Sequence, residues 1–132
     1  MFFHSVFNGQ DEVRVSVQRI MLKTKIHRAT LTATDLNYEG SIAVDIDLLR
    51  AADILPGEQV HVLNVNNGNR LVTYALEAPA GSGTVMLNGP AARLAVPGDV
   101  VVIITYAHFD DADMKNYKSR VVFVDEHNHV RP

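Results

Sequence analysis

Apolar and polar residues in this chain alternate with a period of two more often than they recur every three or four positions. Val13, Val15 and Val17 alternate with Arg14, Ser16 and Gln18, and Ala29, Leu31 and Ala33 alternate with Thr30, Thr32 and Thr34. Both stretches predict strands, the second rich in the β-branched residues that suit a pleated surface. Gln59 to Val65 predicts another strand through Val60 and Val62, and Leu71 to Leu76 its return. Between them Asn66-Asn67-Gly68-Asn69 contains an Asn-Gly pair, a hairpin signal because type I′ turns need positive φ at both central residues. Thr84 to Leu87, Asp99 to Tyr106 and Arg120 to Asp125 complete the strands, the last running into the turn-like Glu126-His127-Asn128.

Helical signals are short. Asp45 is placed to cap Ile46 to Ala52, an amphipathic stretch ended by Asp53 and by Pro56-Gly57. Gly89-Pro90-Ala91-Ala92-Arg93 suits a single turn with Pro near its start, and the polar Asp110 to Tyr117 suits a loop or a short helix. Many short strands with few helices predict an all-β fold of the small closed-barrel kind, since closure removes exposed edges. Residues 1–16 are the one candidate appendage, an N-terminal extension of unknown role ahead of a single domain over 17–132.

Composition narrows the function classes. Twelve Lys plus Arg against fifteen Asp plus Glu give a net charge of −3, which argues against a broad nucleic-acid footprint. The longest apolar run, Val100 to Ile104, is far short of the roughly 20 residues a membrane helix needs. The start, Met1-Phe2-Phe3-His4, lacks the basic lead and long apolar stretch of a secretory signal. The absence of Cys removes disulfides, thiolate zinc sites and thiol nucleophiles together, and the expected location is the cytoplasm.

Common catalytic motifs are missing: no phosphate-binding glycine loop, no His-Glu-x-x-His, no Gly-x-Ser-x-Gly. His127-x-His129 and the acidic run Asp110-Asp111-Ala112-Asp113 read as solvated surface, so no metal is expected. Two Gly-Ser pairs occur. Gly81-Ser82 lies in the turn-rich Pro79-Ala80-Gly81-Ser82-Gly83, whereas Gly40-Ser41 closes a segment dense in functional residues. By composition alone that segment is a strand followed by a turn.

An ordered set of motifs goes further. Lys25-x-His27-Arg28 is followed by Asp35-Leu36-Asn37-Tyr38-Glu39-Gly40-Ser41, then by Asn64-Val65-Asn66-Asn67-Gly68-Asn69-Arg70 and Thr73-Tyr74. Leu87-Asn88-Gly89 and Pro97-Gly98-Asp99-Val100-Val101-Val102-Ile103 complete it. From about Ile20 to about Asp125 the chain resembles the pyruvoyl-dependent aspartate 1-decarboxylases, in order and in spacing.

The resemblance implies a six-stranded double-psi β-barrel with small helices, assembled as a homotetramer with active sites between neighbouring subunits. It implies a precursor that cleaves itself between Gly40 and Ser41 into a β chain ending at 40 and an α chain of 41–132. Ser41 would attack the Gly40 carbonyl, and elimination and hydrolysis would leave a covalent pyruvoyl group in place of Ser41. Gly40 offers an unhindered carbonyl and backbone freedom, and the Thr73 hydroxyl is a suitable oxyanion donor. The pyruvoyl carbonyl would form a Schiff base with L-aspartate and act as electron sink, with no PLP and no metal; Tyr74 matches the family's proton donor. Arg70 and Lys25 match the cations for the two substrate carboxylates, and Thr73, Gly89, Pro90 and Ala91 match the segments that hold the substrate. His27, Tyr38 and Asn88 match residues near the pocket, Asn88 and Gly89 largely through backbone. The implied product is β-alanine, which feeds pantothenate and coenzyme A synthesis.

Two departures stand out. Pro90 replaces the family's usual Ala and removes a backbone donor, and residues 1–16 precede the family's usual start near Val17. Some family members need a separate maturation factor. Two competing readings remain at this stage: a non-catalytic β-barrel binding module, and pyruvoyl chemistry on another small amino acid.

Overall fold

The structure, a computed structural model, describes the backbone of residues 3–8 and 11–132 and the side chains from Val17 onward. The strands are β1 (Phe3–Asn8), β2 (Asp11–Ser16), β3 (Gln18–Thr30), β4 (Ala33–Asp35), β5 (Ser41–Asp45), β6 (Gln59–Asn64), β7 (Arg70–Ala78), β8 (Val85–Asn88), β9 (Val100–Asp110) and β10 (Arg120–Phe123). One short helix, α1 (Ile46–Ala51), follows β5, and 3-10 turns span Gly89–Leu94 and Asp111–Asn116. The fold is therefore mainly β with short helices. β1 and β2 form an antiparallel hairpin of their own. The remaining strands form one eight-stranded sheet in the order β10-β3-β9-β6-β7-β5-β8-β4.

The alternation seen in the sequence is the alternation of faces. Ile26, Val60, Val62, Val101 and Ile103 point into one core, joined by Ile42, Val44, Val85 and Leu87 from the other half of the sheet and by Leu48 and Leu49 from α1. β5 departs from strict alternation: all five of its residues are buried. It lies between parallel β7 and antiparallel β8, so neighbours cover both edges. Asp45 caps α1 as expected, accepting from the Asp47 N–H at 2.8 Å. The same carboxylate accepts from the N–H groups of Gly81 at 3.2 Å and Gly83 at 2.9 Å, which anchors the loop before β8.

Several expectations from pattern change in the structure. The alternation from Ala29 to Thr34 belongs to two strands, not one. After Thr30 the backbone leaves β9, Leu31 N–H reaches the Asp99 carbonyl at 2.8 Å, and Thr32 N–H reaches the Val85 carbonyl at 2.8 Å. The chain thus passes from β3, paired with β9, to β4, paired with β8. Val13 to Gln18 is likewise divided, with Val17 between β2 and β3. The Asn-Gly link is a five-residue connection, Val65 to Asn69, rather than a type I′ turn. Gly68 has φ 77° but Asn67 has no positive φ; its side chain accepts from Asn69 N–H and donates to the Leu94 carbonyl. β9 runs four residues beyond Tyr106, because its end pairs with the start of β3. The hydrogen-bond ladder runs as one open sheet ending in β10 and β4, and does not by itself show the expected closed barrel.

A buried amide ties the C-terminal turn to this frame. Asn128 sits at φ 62°; its Oδ1 accepts from Thr30 N–H at 2.8 Å, and its Nδ2 donates to the carbonyls of Thr30 and Gly83, each at 2.8 Å. Asn128→Ala strands those three groups and forces Ala into a left-handed conformation. We expect a stability loss of about 2–4 kcal/mol, read as a lower urea midpoint at unchanged slope. A loss below about 1 kcal/mol would show that water replaces the amide.

Candidate active site

The Gly40–Ser41 bond lies where the chain passes from solvent into the sheet. Residues 35–40 are exposed, and Ser41, the first residue of β5, is fully buried. Ser41 pairs with Asn88 of β8. The Asn88 Nδ2 donates to Ser41 Oγ at 3.1 Å, and the Ser41 hydroxyl donates to the Glu39 carbonyl at 3.2 Å. Asn88 Oδ1 is buried and makes no hydrogen bond.

Register carries the row further. One residue back along both parallel strands from the Ile42–Ala75 pair stand Ser41 and Tyr74. On the other side Asn88 pairs with Asp35. Residues paired across a ladder share a face, so Tyr74, Ser41, Asn88 and Asp35 form one row on the outer face of the sheet. The next row is Leu76, Ala43, Met86 and Ala33. Ala33, Ala43, Leu76 and Met86 of this second row line a cleft of about 500 Å³ with Tyr38 and Asn88; Ser41 and Tyr74 are not part of its lining. Thr73 and Tyr74 face opposite ways: Tyr74 is about one-third exposed on the outer face, and Thr73 is half-buried on the inner one.

Two expectations about glycine and asparagine need refinement. Gly40 does not use a left-handed conformation; Gly89 does, at φ 68°. Asn88 also contributes its side chain, to Ser41 Oγ, in addition to the backbone role the family pattern implied. The outward position of Asn88, beside inward Leu87, was the available signal, but only register shows that it faces Ser41. Pro90 stands at the start of a 3-10 turn, where an N–H has no partner within the turn, so its missing donor disturbs nothing there. Ala91 follows it, half-buried against the core.

The remaining candidates lie elsewhere on one chain. Arg70 opens β7, four residues from Tyr74, or about 13 Å along an extended strand. It lines a different cleft, of about 440 Å³, with His61, His108, Gln59 and Tyr106; the His61 and Tyr106 rings meet edge-on at 5.0 Å. Lys25 lies in a row with Ile104, His61 and Val72, three strand spacings or about 14 Å from β7 along the sheet. His27 packs edge-on against Phe123 at 5.6 Å and lines a third cleft with Arg28 and Asp125. Asp125 turns inward on its own loop, accepting from the backbone N–H groups of His129 and His127. Those two bonds, that of His129 first, hold its carboxyl below the usual range. Among the described residues no group of three or more His, Cys, Asp or Glu is placed to hold a metal ion.

Among the described residues neither Arg70 nor Lys25 forms a salt bridge. Arg70→Ala and Lys25→Ala should therefore leave folding stability within about 0.5 kcal/mol of the parent in urea titrations. A larger loss in either variant would assign that cation to the frame and not to a ligand.

The aspartate decarboxylase family model matches residues 17–131. The chain is similar to the aspartate 1-decarboxylase of Thermoanaerobacter pseudethanolicus, 57% identical over 112 residues, which covers 85% of this chain and 96% of that one. The aspartate 1-decarboxylase of Moorella thermoacetica is also 57% identical over 112 residues, covering 85% and 88%. That of Myxococcus xanthus is 54% identical over 116 residues, covering 88% and 89%. With the matched region spanning nearly all of the sheet that carries Ser41, the chain belongs to the aspartate decarboxylase family.

Proposed function

We propose that this chain decarboxylates L-aspartate to β-alanine and CO₂, using a pyruvoyl group that it makes from its own Ser41 by cleaving the Gly40–Ser41 bond. The observation that carries the reading is Ser41 itself. A serine at the exposed-to-buried boundary, with its oxygen bonded to a buried Asn88 amide and Tyr74 at the neighbouring register position, stands at the dipeptide that resemblance to the family marks for cleavage. The site suits a carbonyl group at position 41. Asn88 offers a donor beside that position and a second amide atom, Oδ1, still without a partner. When present, the pyruvoyl carbonyl would supply the electron sink for loss of CO₂.

The chain's own residues take the other tasks. Thr73 is assigned the oxyanion of the cleavage step, where a fixed hydroxyl stabilises developing charge. The Tyr74 hydroxyl is a hydrogen-bond donor and is assigned delivery of a proton to the carbon that lost CO₂. Gly89 and Ala91 are assigned to the substrate backbone. Arg70 and Lys25 are assigned one carboxylate each, as a dianionic substrate needs.

Those cations bear on assembly. Along one sheet Arg70 lies about 13 Å from Tyr74, farther than aspartate can bridge. We therefore propose a homotetramer in which a neighbouring chain brings cations and Ser41 together. Exposed Ile20, Val72, Val121 and Phe123 on the outer face favour such a neighbour. We also propose that the sheet closes as the family's six-stranded double-psi barrel over 17–132, with β1 and β2 as an added pair of strands. In support, β4 follows β3 after two residues and pairs with β8, so counting β3 and β4 as one bent strand turns the order into a ring. The reading places the enzyme in the cytoplasm, supplying β-alanine for pantothenate and coenzyme A; among the described residues no helix is long and apolar enough to cross a membrane.

Intact-mass measurement tests the proposal. Mature protein should appear as chains 1–40 and 41–132, the larger lighter by one ammonia than its encoded mass, while Ser41→Ala remains a single chain. An intact parent chain after prolonged warm incubation, with any maturation factor supplied, would refute it. Tyr74→Phe should cleave at the parent rate yet lose β-alanine production by about 100-fold or more, as loss of a general acid does. Near-parent turnover would move the proton donor elsewhere.

A further inference from the structure

We infer that Gly89 is the positioning residue for self-cleavage, because its missing side chain lets the Gly40 backbone close onto β8; this rests on the proposed cleavage at Gly40–Ser41. A Cβ at position 89 would lie 2.7 Å from Gly40 Cα, 2.9 Å from Gly40 N and 3.0 Å from the Tyr38 carbonyl oxygen. The first two distances are shorter than carbon tolerates against backbone, and Gly89 also sits at φ 68°. The reciprocal position is free: a Cβ on Gly40 meets only Pro90 Cδ, at 3.8 Å. The constraint therefore lies on the wall and not on the cleaved residue.

What this contact positions is a reacting pair. The residue before Gly89, Asn88, holds Ser41 Oγ at 3.1 Å, and Gly89 itself holds the Gly40 backbone. Nucleophile and carbonyl are thus fixed by consecutive residues at the end of one strand. In the step they serve, Ser41 Oγ bonds to the Gly40 carbonyl carbon and the Gly40–Ser41 C–N bond breaks. The hydroxyl proton passes to the departing nitrogen, which becomes the amino group of Ser41. Elimination then expels the Gly40 carboxylate and leaves a dehydroalanine; water hydrolyses its imine tautomer, releasing ammonia and leaving the pyruvoyl carbonyl. Only the first step needs the two groups in register. A displacement of 1 Å there is enough to slow it about 100-fold.

The structure supplies matched controls. Gly81 has φ 77° with nothing within 4 Å of a built Cβ, so Gly81→Ala carries the backbone strain without a clash. Gly83 has φ 66° and a Cβ there would run into the His127 carbonyl, so Gly83→Ala carries strain and clash together, away from Ser41. The first-order rate of conversion to two chains is followed by mass for the full chain and for each variant, with circular dichroism and melting recorded in parallel. Hydroxylamine, which cleaves the ester, reports how much of it forms.

Gly89→Ala should stay folded yet cleave at least 100-fold more slowly, without a hydroxylamine-sensitive pool. Gly81→Ala and Gly83→Ala should lose stability and still cleave within threefold of the parent. If Gly89→Ala does not fold, one Gly inserted between Asn37 and Tyr38, in the exposed loop, lifts Gly40 from the wall while leaving residue 89 intact. That insertion should also slow cleavage at least 100-fold. A parent that cleaves, with Gly89→Ala or the insertion cleaving equally fast, overturns the inference alone. Equal slowing in Gly83→Ala and Gly89→Ala also overturns it, by making the effect one of general stability. A parent that never cleaves overturns the self-cleavage reading and this inference with it.

Discussion

The contact between the Gly40 backbone and Gly89 is the constraint around which the site is arranged. A Cβ at 89 would stand 2.7 Å from Gly40 Cα, so the loop from Asp35 to Gly40 can reach β8 only because no side chain is there. Ser41 then enters β5 in register with Asn88, and Ile42 falls against Ala75 and Leu87 in the core. A slip of one residue would turn Ser41 to the core and Ile42 outward, which burial of Ile42, Val44 and Leu87 opposes. Packing of the core thus sets the orientation of the hydroxyl. Neither link is sufficient alone: the core chooses the face, and the glycine sets the approach.

The same sheet geometry explains why charge is spread widely over one chain. Arg70 begins β7 and Lys25 lies mid-way along β3, separated by β6 and β9. Lys25, Arg70 and Tyr74 share the outer face, since Lys25 is in the row of Val72, and Arg70 and Tyr74 are each two residues from Val72. Two cations within one side chain's reach would repel and would need burial to hold a substrate; two cations on distant strands avoid that cost until the proposed ligand and neighbouring chain unite them. An exposed row with Val72, Val121 and Ile20 around it is a surface on which such a union removes apolar area from water as well.

Local pattern was enough for β6, β7, β8, β9 and β10, for inward Val60 and Val62, and for the Asp45 cap, because each depends on neighbours within a few positions. It did not mark β1, β5 or most of β3 as strands. What the pattern could not hold was partnership. Leu31 and Ala29 keep the alternation through the point where β3 ends, since both are buried, yet the backbone there changes partner from β9 to β8. Asn67-Gly68 carries a hairpin signal, but the Leu94 carbonyl, far along the chain, draws the side chains of Asn67 and Asn69 and fixes a longer link. For the site, motif order pointed to Ser41, Tyr74 and Asn88. The exchange of roles between Gly40 and Gly89 was hidden, because two glycines look alike until their φ values and neighbours are known.

The second Gly-Ser pair shows how little the dipeptide itself decides. Gly81 and Ser82 are exposed; Ser82 N–H donates to the Pro79 carbonyl at 3.1 Å, and its Oγ accepts from Thr84 N–H at 3.3 Å. The flanking N–H groups of Gly81 and Gly83 are both taken by Asp45. A carboxylate beside a would-be oxyanion raises the energy of the charge that must form there, and exposure leaves the hydroxyl competing with water. At Ser41 the surroundings invert each term: the hydroxyl is buried, its neighbour is the neutral amide of Asn88, and β5 has neighbours on both sides. The bond that the proposed chemistry would break is therefore chosen by strand register and by the sign of the nearest polar group, and Ser82 has neither in its favour.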